Sequence, residues 1–133
     1  MKKKAVSSLH VKEPRPQTWS NAVVRGDQVF ISGMTAHDLA GNVMGDGSMY
    51  DQSVRTFEKI RHMIEAAGGK MNDIVKLLIF VTDIKQRDDV WRARAECFTG
   101  DFPSCSLVEV SALATPEVLV EIEAVAYLGC SED

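Results

Sequence analysis

Five segments of the chain carry the apolar and polar spacing of β-strands. Short apolar runs at residues 21–24 and 29–32 flank the polar stretch RGDQ, which predicts two strands joined by a tight turn. Residues 74–82 are almost continuously apolar and β-branched, as expected of a central strand covered on both faces. Residues 105–112 and 119–127 alternate between apolar and polar, which predicts two strands with distinct faces.

Alternation in the last two strands assigns individual side chains to faces. In the first of them, Cys105 and Leu107 share one face. In the final strand, Glu121 and Glu123 share a face, opposite an apolar set made of Val120, Ile122, Ala124 and Ala126. We expect the strand that bears Cys105 to lie beside this final strand, which makes Glu121 the nearest charged partner of the thiol.

Two other segments have the spacing of amphipathic helices. Residues 51–67 repeat apolar side chains every three or four positions and end at Gly68-Gly69, which favours a helix with a glycine stop. Asp88 and Asp89 favour a second helix start, followed by an apolar stripe of Val90, Ala93, Cys97 and Phe98. Residues 35–48 lack periodicity and are rich in Gly, Asp and Asn, which predicts a loop of the kind that often borders a binding site.

The order of elements predicts one α/β (α+β) domain. Residues 1–133 form a single domain, with a core over residues 19–127 and a tail or edge strand over residues 1–15. Two helices can cover only one face of a mixed sheet of five or six strands. The mixed polarity of the other face suggests contact with further copies of the chain, so we expect a homo-oligomer.

Composition narrows the class of protein. The chain has 133 residues, with 45% hydrophobic and 26% charged, and no apolar run approaches the length of a membrane span. The start MKKKAVSSLH has no apolar stretch after its basic cluster, so we expect no secretory signal, no membrane association and a cytoplasmic location. A net charge of −4 makes nucleic acid an unlikely partner.

Cysteine and histidine spacing gives no support to a metal site or cofactor. Cys97, Cys105 and Cys130 lack CxxC spacing, which predicts reduced thiols. His10, His37 and His62 lie far apart and form neither HxH nor HExxH. We therefore expect a protein without cofactor or metal, and one without a histidine pair for RNA cleavage.

Six local motifs, in order, resemble the Rid (reactive intermediate deaminase, or YjgF) family from Trp19 to Tyr127. They are TWSNAV, VFISGMT, QSVRTFEKIRHMIEAAGG, DIVKLLIFVTDI, FPSCSLVEVSAL and VEIEAVAYLG. The resemblance implies a chorismate-mutase-like fold and a homotrimer with a small-molecule cleft between each pair of subunits. It also implies hydrolysis of 2-imino or 2-amino acrylate-type intermediates to keto acids and ammonia.

One residue breaks this resemblance. The family binds the substrate carboxylate with the arginine of a Pro-Ala-Arg-Ser motif, and the matching stretch here is Pro103-Ser104-Cys105-Ser106. A thiol supplies neither the paired donors nor the fixed charge of a guanidinium. A substrate other than the small 2-imino acids is therefore expected, with Arg87, Arg92 or Arg94 as a replacement cation.

The remaining family positions are partly kept. Glu121 matches the acidic residue of the final strand, and Ser32-Gly33 matches the second-strand Ser-Gly. Trp19 replaces the usual tyrosine, Trp91 a frequent asparagine and Arg87 a frequent phenylalanine. The resemblance thus implies two catalytic candidates, Glu121 and Cys105, and five ligand-binding candidates: Trp19, Ser32, Gly33, Arg87 and Trp91.

Each candidate also has a plainer interpretation. Cys105 is either a reactive thiolate or a small buried hydrophobe, and Glu121 is either a general base or an interface carboxylate. The Ser32 hydroxyl either binds ligand or terminates its strand. At the level of the whole protein, these interpretations leave open an imine or enamine deaminase and a non-catalytic metabolite-binding module, with RNA cleavage disfavoured.

Overall fold

A six-stranded sheet with both α-helices on one face makes up the fold. The computed structural model describes residues 1–131 of the chain. Its α-helices are α1 (Met49–Ala66) and α2 (Arg87–Ala95). Its strands are β1 (Lys4–Val6), β2 (Ala22–Arg25), β3 (Gln28–Met34), β4 (Ile74–Val81), β5 (Ser104–Glu109) and β6 (Val120–Tyr127).

Strand order is β1-β2-β3-β6-β4-β5. All neighbours are antiparallel except β4 and β5, which are parallel. A parallel pair needs a crossover connection, and α2 supplies it. β1, Lys4–Val6, pairs with β2 and forms one edge of the sheet.

Both predicted helices are present with shifted ends. The Ser48 side chain accepts a hydrogen bond from the Asp51 backbone N–H, so α1 begins at Met49, before the predicted start. A 3₁₀ turn, Ile84–Gln86, precedes α2, whose first turn contains the predicted Asp88 and Asp89. This helix ends at Ala95, short of the predicted Phe98.

The two faces of the sheet differ in their surroundings. The even-numbered side chains of β6 are buried against the helices, and Glu121 and Glu123 point to the other face. Phe80 pairs with Glu121, and Phe30 pairs with Val125 on that same outer face. Phe30 is 46% exposed, so the helices cover one face only, as predicted. The outer face of a single chain therefore presents carboxylates among apolar side chains.

Candidate functional site

Glu121 and Gly33 lie in direct contact on two paired strands. β3 carries one extra residue relative to β6 between Ile31 and Met34, which is the signature of a β-bulge. A methyl group added at Gly33 would lie 2.5 Å from Oε2 of Glu121. The bulge and the absent side chain together make room for the carboxylate.

The environment of Glu121 favours its neutral form. Burial raises the pKa of this carboxyl group, and the nearby charge of Glu123 raises it further. The side chain is nevertheless partly accessible, since β6 exposes it on the uncovered face. A partly buried carboxyl group can serve as a proton acceptor and donor for a bound molecule.

Ser32 forms hydrogen bonds within the chain through both its side chain and its backbone. Its hydroxyl donates to the carbonyl oxygen of Ser20 at 2.6 Å, and its backbone N–H donates to the carbonyl of Asn21 at 2.9 Å. These bonds fasten β3 to the segment that carries Trp19. Both earlier interpretations of Ser32 stay compatible with this geometry, because a hydroxyl that donates still has lone pairs to accept from a ligand.

Trp19 borders two cavities. Its side chain is 61% exposed. One cavity of about 480 Å³ lies between the N-terminal segment and Trp19, and another of about 400 Å³ extends from Trp19 to Gly33. Trp19, one of the ligand-binding candidates, therefore lies at the border of both cavities.

Cys105 does not lie beside Glu121, and the expected strand adjacency is wrong. β4 separates β5 from β6 in the sheet. Cys105 pairs with Leu77, whose side chain is on the core face, whereas Glu121 is on the outer face. The thiol packs against the hydrophobic core while staying partly exposed. Within one chain, the two catalytic candidates lie on opposite faces of the sheet.

The candidate residues of α2 interact with residues of α2 and of the elements next to it. The Arg87 guanidinium lies 5.7 Å from the centre of the Trp91 ring and donates to the Ile84 carbonyl. Arg92 lies over the Tyr50 ring at 3.7 Å and pairs with an aspartate of its own helix. Over residues 1–131, neither cavity at Trp19 is lined by any of these side chains or by Cys105.

The family model described as Endoribonuclease L-PSP matches residues 12–128. The chain belongs to this family. A RutC family protein of Pyrococcus horikoshii is 34% identical over 115 residues, which cover 86% of this chain and 90% of that protein. Membership of the Rid group is thus confirmed by sequence, and the solved structures below confirm the fold.

Two solved structures of the family align with nearly the whole chain. RidA from an Antarctic Psychrobacter is 28% identical with a TM-score of 0.84, covering 94% of this chain and 99% of that one. TdcF of E. coli, solved with bound serine, is 26% identical with a TM-score of 0.84, covering 93% and 98%. The expected Rid fold is confirmed, and one family member holds a small amino acid.

Sequence reasoning about this family member missed a buried lysine. Lys59 is 9% exposed and lies on the buried side of α1, between Thr56 and Met63. Its Nζ donates to the carbonyl of Thr35 at 2.7 Å. The available sequence signal was Met63, four residues later, because that spacing places Lys59 beside an apolar side chain on the same side of the helix.

The fold also pairs two histidines, contrary to the sequence-based expectation. The rings of His10 and His62 stack with centroids 4.3 Å apart. Residues 1–131 contain no group of three or more His, Cys, Asp or Glu side chains arranged to hold a metal ion. In the same range, no helix has the length and apolar character to cross a membrane.

Proposed function

We propose that this protein hydrolyses an imine or enamine intermediate to a carbonyl compound and ammonia, with Glu121 as the group that moves the proton. The observation that carries the proposal is the contact between the Glu121 carboxyl and Gly33 in the bulge of β3. The carboxyl is partly buried, and burial raises its pKa, which suits a group that both accepts and returns a proton. The matching position in the Rid resemblance is also acidic.

The chemistry needs only water and one carboxyl group. Glu121 accepts a proton from water while the water oxygen bonds to the imine carbon, and the C=N electron pair moves to nitrogen. Glu121 then returns the proton to nitrogen, which gives a carbinolamine. The carboxylate next takes the proton of the new hydroxyl group and delivers it to the amino nitrogen, so that the C–N bond breaks and ammonia leaves as the C=O bond forms. The substrate's own C=N bond provides the electrophile, so proton management and orientation are the protein's contribution.

The proposal includes a homotrimer, which would bring Cys105 of one chain and Glu121 of another into one cleft. Cys105 and Glu121 lie on opposite faces of one sheet, so a cleft that contains both requires two chains. The uncovered face of the sheet exposes Phe30 beside Val125 and offers an apolar surface for association. Sedimentation equilibrium should give three times the chain mass, and a monomer at all concentrations would contradict this assembly.

Cys105 sets the expected substrate range. A family cleft built around an arginine holds a carboxylate beside the reacting carbon, and a thiol gives that carboxylate no charged partner. We therefore propose a substrate that is larger than the small 2-imino acids or lacks a carboxylate at that point. The serine bound to TdcF supports a small polar metabolite as the general class of ligand.

The test is the release of ammonia and keto acid from imino acids generated by an amino acid oxidase. We expect little activity from the unmodified protein, a gain in Cys105→Arg, and loss of that gain in Cys105→Arg/Glu121→Gln. Cys105→Arg/Glu65→Gln is the matched control, because Glu65 is an exposed glutamate on α1. Equal activity with and without Glu121 would overturn the proposed role of the carboxyl.

A metabolite-binding module without turnover is the second candidate, and the replacement of arginine by Cys105 favours it. It predicts ligand binding without ammonia release from any imine, in the unmodified protein and in Cys105→Arg. RNA cleavage, named in the family description, finds limited support in the His10–His62 pair. Rings stacked face to face do not flank one phosphate from two sides, as acid–base cleavage would require. Incubation with single-stranded RNA tests this directly.

A further inference from the structure

Lys59 is a buried cation with an incomplete set of partners. An ammonium group has three donors, and the carbonyl of Thr35 accepts from one of them. Across residues 1–131, no carboxylate lies within 4.0 Å of its nitrogen. Burial lowers the pKa of Lys59, and the more distant charge of Asp38 only partly opposes this. Charges in such positions are usually paired, because an unpaired buried charge is costly.

The lysine faces the cavity of about 400 Å³ that reaches Trp19 and Gly33. Lys12 and Arg15 line the same cavity, against a single lining carboxylate from Glu13. The cavity is thus rich in positive charge although the chain carries a net charge of −4. Such a concentration of cations around a concave, partly apolar space is the usual form of an anion-binding site.

The segment that bears the outer cations is fastened in place. The side-chain amide of Asn21 donates to the carbonyl of Lys12 at 3.0 Å. The Lys12 nitrogen lies 3.0 Å from the position that a Cβ would take on Gly41, so this lysine reaches across to the loop on the far side. His37, on the same loop, hydrogen-bonds through Nδ1 to the Thr35 hydroxyl at 2.7 Å. Hydrogen bonds within the chain therefore hold both the segment with Lys12 and the loop with His37, which form two walls of the cavity.

We propose that this cavity binds the carboxylate of a small planar organic acid, with Lys59 as the buried cation and the Trp19 indole against the planar part. The carboxylate would accept from the free donors of Lys59 and from Lys12 at the rim. The exposed face of Trp19 offers a stacking surface of matching shape. This site lies within one chain and needs neither Cys105 nor a second subunit.

The cavity adjoins the proposed deaminase site at Gly33. The claim that the bound acid is a substrate rests on the proposed function. In that case Lys59 of α1 would hold a carboxylate that lies away from the position of the missing arginine, as the larger substrate proposed above could provide. None of the α2 arginines would then be needed for charge. Anion binding itself is independent of turnover.

The test is a titration with benzoate, and with benzamide as its neutral counterpart, followed through the indole N–H signals of Trp19 and Trp91 in ¹H–¹⁵N NMR spectra. The two tryptophans of the chain are assigned with a Trp91→Phe sample. We expect benzoate to shift the Trp19 signal in a saturable manner and benzamide to leave it unchanged. Trp91 serves as the internal reference, because it lies outside the cavity lining.

Variants identify the cation. Lys59→Met should weaken benzoate binding by about tenfold or more, since a charged hydrogen bond is lost. Lys85→Met, at an exposed lysine on another element, should bind benzoate like the unmodified protein. Lys12→Met, at an exposed rim position, keeps the proposal testable if Lys59→Met does not fold, and it should weaken binding severalfold.

Three results would overturn the proposal. They are equal shifts with benzoate and benzamide, no shift of Trp19 at any benzoate concentration, and unchanged affinity in the Lys59→Met or Lys12→Met variant. Benzoate binding to the unmodified protein, together with no imine hydrolysis by Cys105→Arg, would leave the anion site standing and remove the proposed function. Hydrolysis that depends on Glu121, without benzoate binding, would support the proposed function and remove the anion site.

Discussion

The fully buried side-chain amide of Gln52 on α1 accepts a hydrogen bond from the backbone N–H of Leu119, just before β6 begins. The N–H donates to Oε1 at 2.9 Å, and Nε2 donates to the carbonyl of Glu117 at 2.7 Å. One side chain therefore satisfies two backbone groups of the segment that leads to Glu121. The long helix α1 therefore fixes the position from which β6 starts.

Gln52→Leu should destabilise the protein by about 2–4 kcal/mol, because an apolar side chain of similar size leaves both backbone groups unsatisfied. Urea unfolding followed by far-UV circular dichroism measures this change. Gln86→Leu, at an exposed glutamine, should change stability by less than about 0.5 kcal/mol. Equal effects of the two substitutions would contradict the structural role of the buried amide.

Gly33→Ala should cost about 1–3 kcal/mol and displace Glu121, since the added methyl group overlaps Cγ, Cδ and Oε2 of that side chain. Urea unfolding gives the cost, and the double mutant with Glu121→Ala gives its cause. Removing the carboxyl should make Gly33→Ala nearly neutral, which is a strong coupling for two residues in contact. Additive effects of the two substitutions would show that the cost of the added methyl group does not come from its contact with Glu121.

Glu123→Gln should lower the pKa of Glu121, because one of the two causes of its elevation is the charge on Glu123. The shift should be the smaller part of the elevation, since burial is the larger cause. A ¹³C NMR titration of the Glu121 carboxyl carbon measures it without any assumption about activity. An unchanged midpoint would mean that the two carboxylates do not interact.

The carboxyl group of Asp73 should make the free energy of unfolding fall as the pH is lowered. Burial tends to raise its pKa, but backbone donors from Lys70 and Ser131, among others, hold the pKa below its ordinary value. A depressed folded-state pKa contributes stability above the unfolded-state pKa, and this contribution is lost as pH falls through the folded-state pKa. Asp73→Asn should therefore cost about 1–3 kcal/mol at pH 7.

The stability difference caused by Asp73→Asn should shrink as the pH is lowered. Urea unfolding of both proteins at several pH values from neutral to acid checks this. A difference that stays constant with pH would assign the cost to lost packing rather than to the charge. Asp101→Asn, at an exposed aspartate, provides the matched control.

The cysteines should react in a fixed order. Burial raises the pKa of Cys97 to about 11, and its Sγ donates to the Ala93 carbonyl at 3.2 Å. At pH 8 this thiol forms roughly a hundredfold less thiolate than an unperturbed cysteine. With Ellman's reagent, exposed Cys130 should react first and Cys97 last. Rapid labelling of Cys97 in a peptide map of the folded protein would contradict the burial.

The pattern of apolar and polar residues predicted most helices and strands, because each of them is specified by the residues within it. The spacing in residues 51–67 and the alternation in residues 119–127 record which side is buried, so α1 and the two faces of β6 could be inferred. The insertion of β4 between β5 and β6 depends on long-range pairing, which local patterns do not encode. For that reason Cys105 was expected beside Glu121 and lies on the opposite face.

The bulge at Ser32-Gly33 and the role of Lys59 escaped prediction for related reasons. A one-residue bulge is defined by the partner strand, so the sequence of β3 alone shows only a Ser-Gly pair. Lys59 could have been noticed on the buried stripe of α1. Its significance depends on Lys12 and Arg15, which only the folded chain brings to the same cavity.

The alternation of β6 places its even-numbered and odd-numbered residues under different evolutionary constraints. Even positions from Val120 to Ala126 are held by the core, and odd positions, including Glu121, face the outside. Substitutions at odd positions can change the outer surface around Glu121 without unfolding the protein. A single-residue deletion within the strand would exchange the two sets, placing carboxylates in the core and isoleucine in the site. This segment can therefore evolve by replacement but not by changes in length.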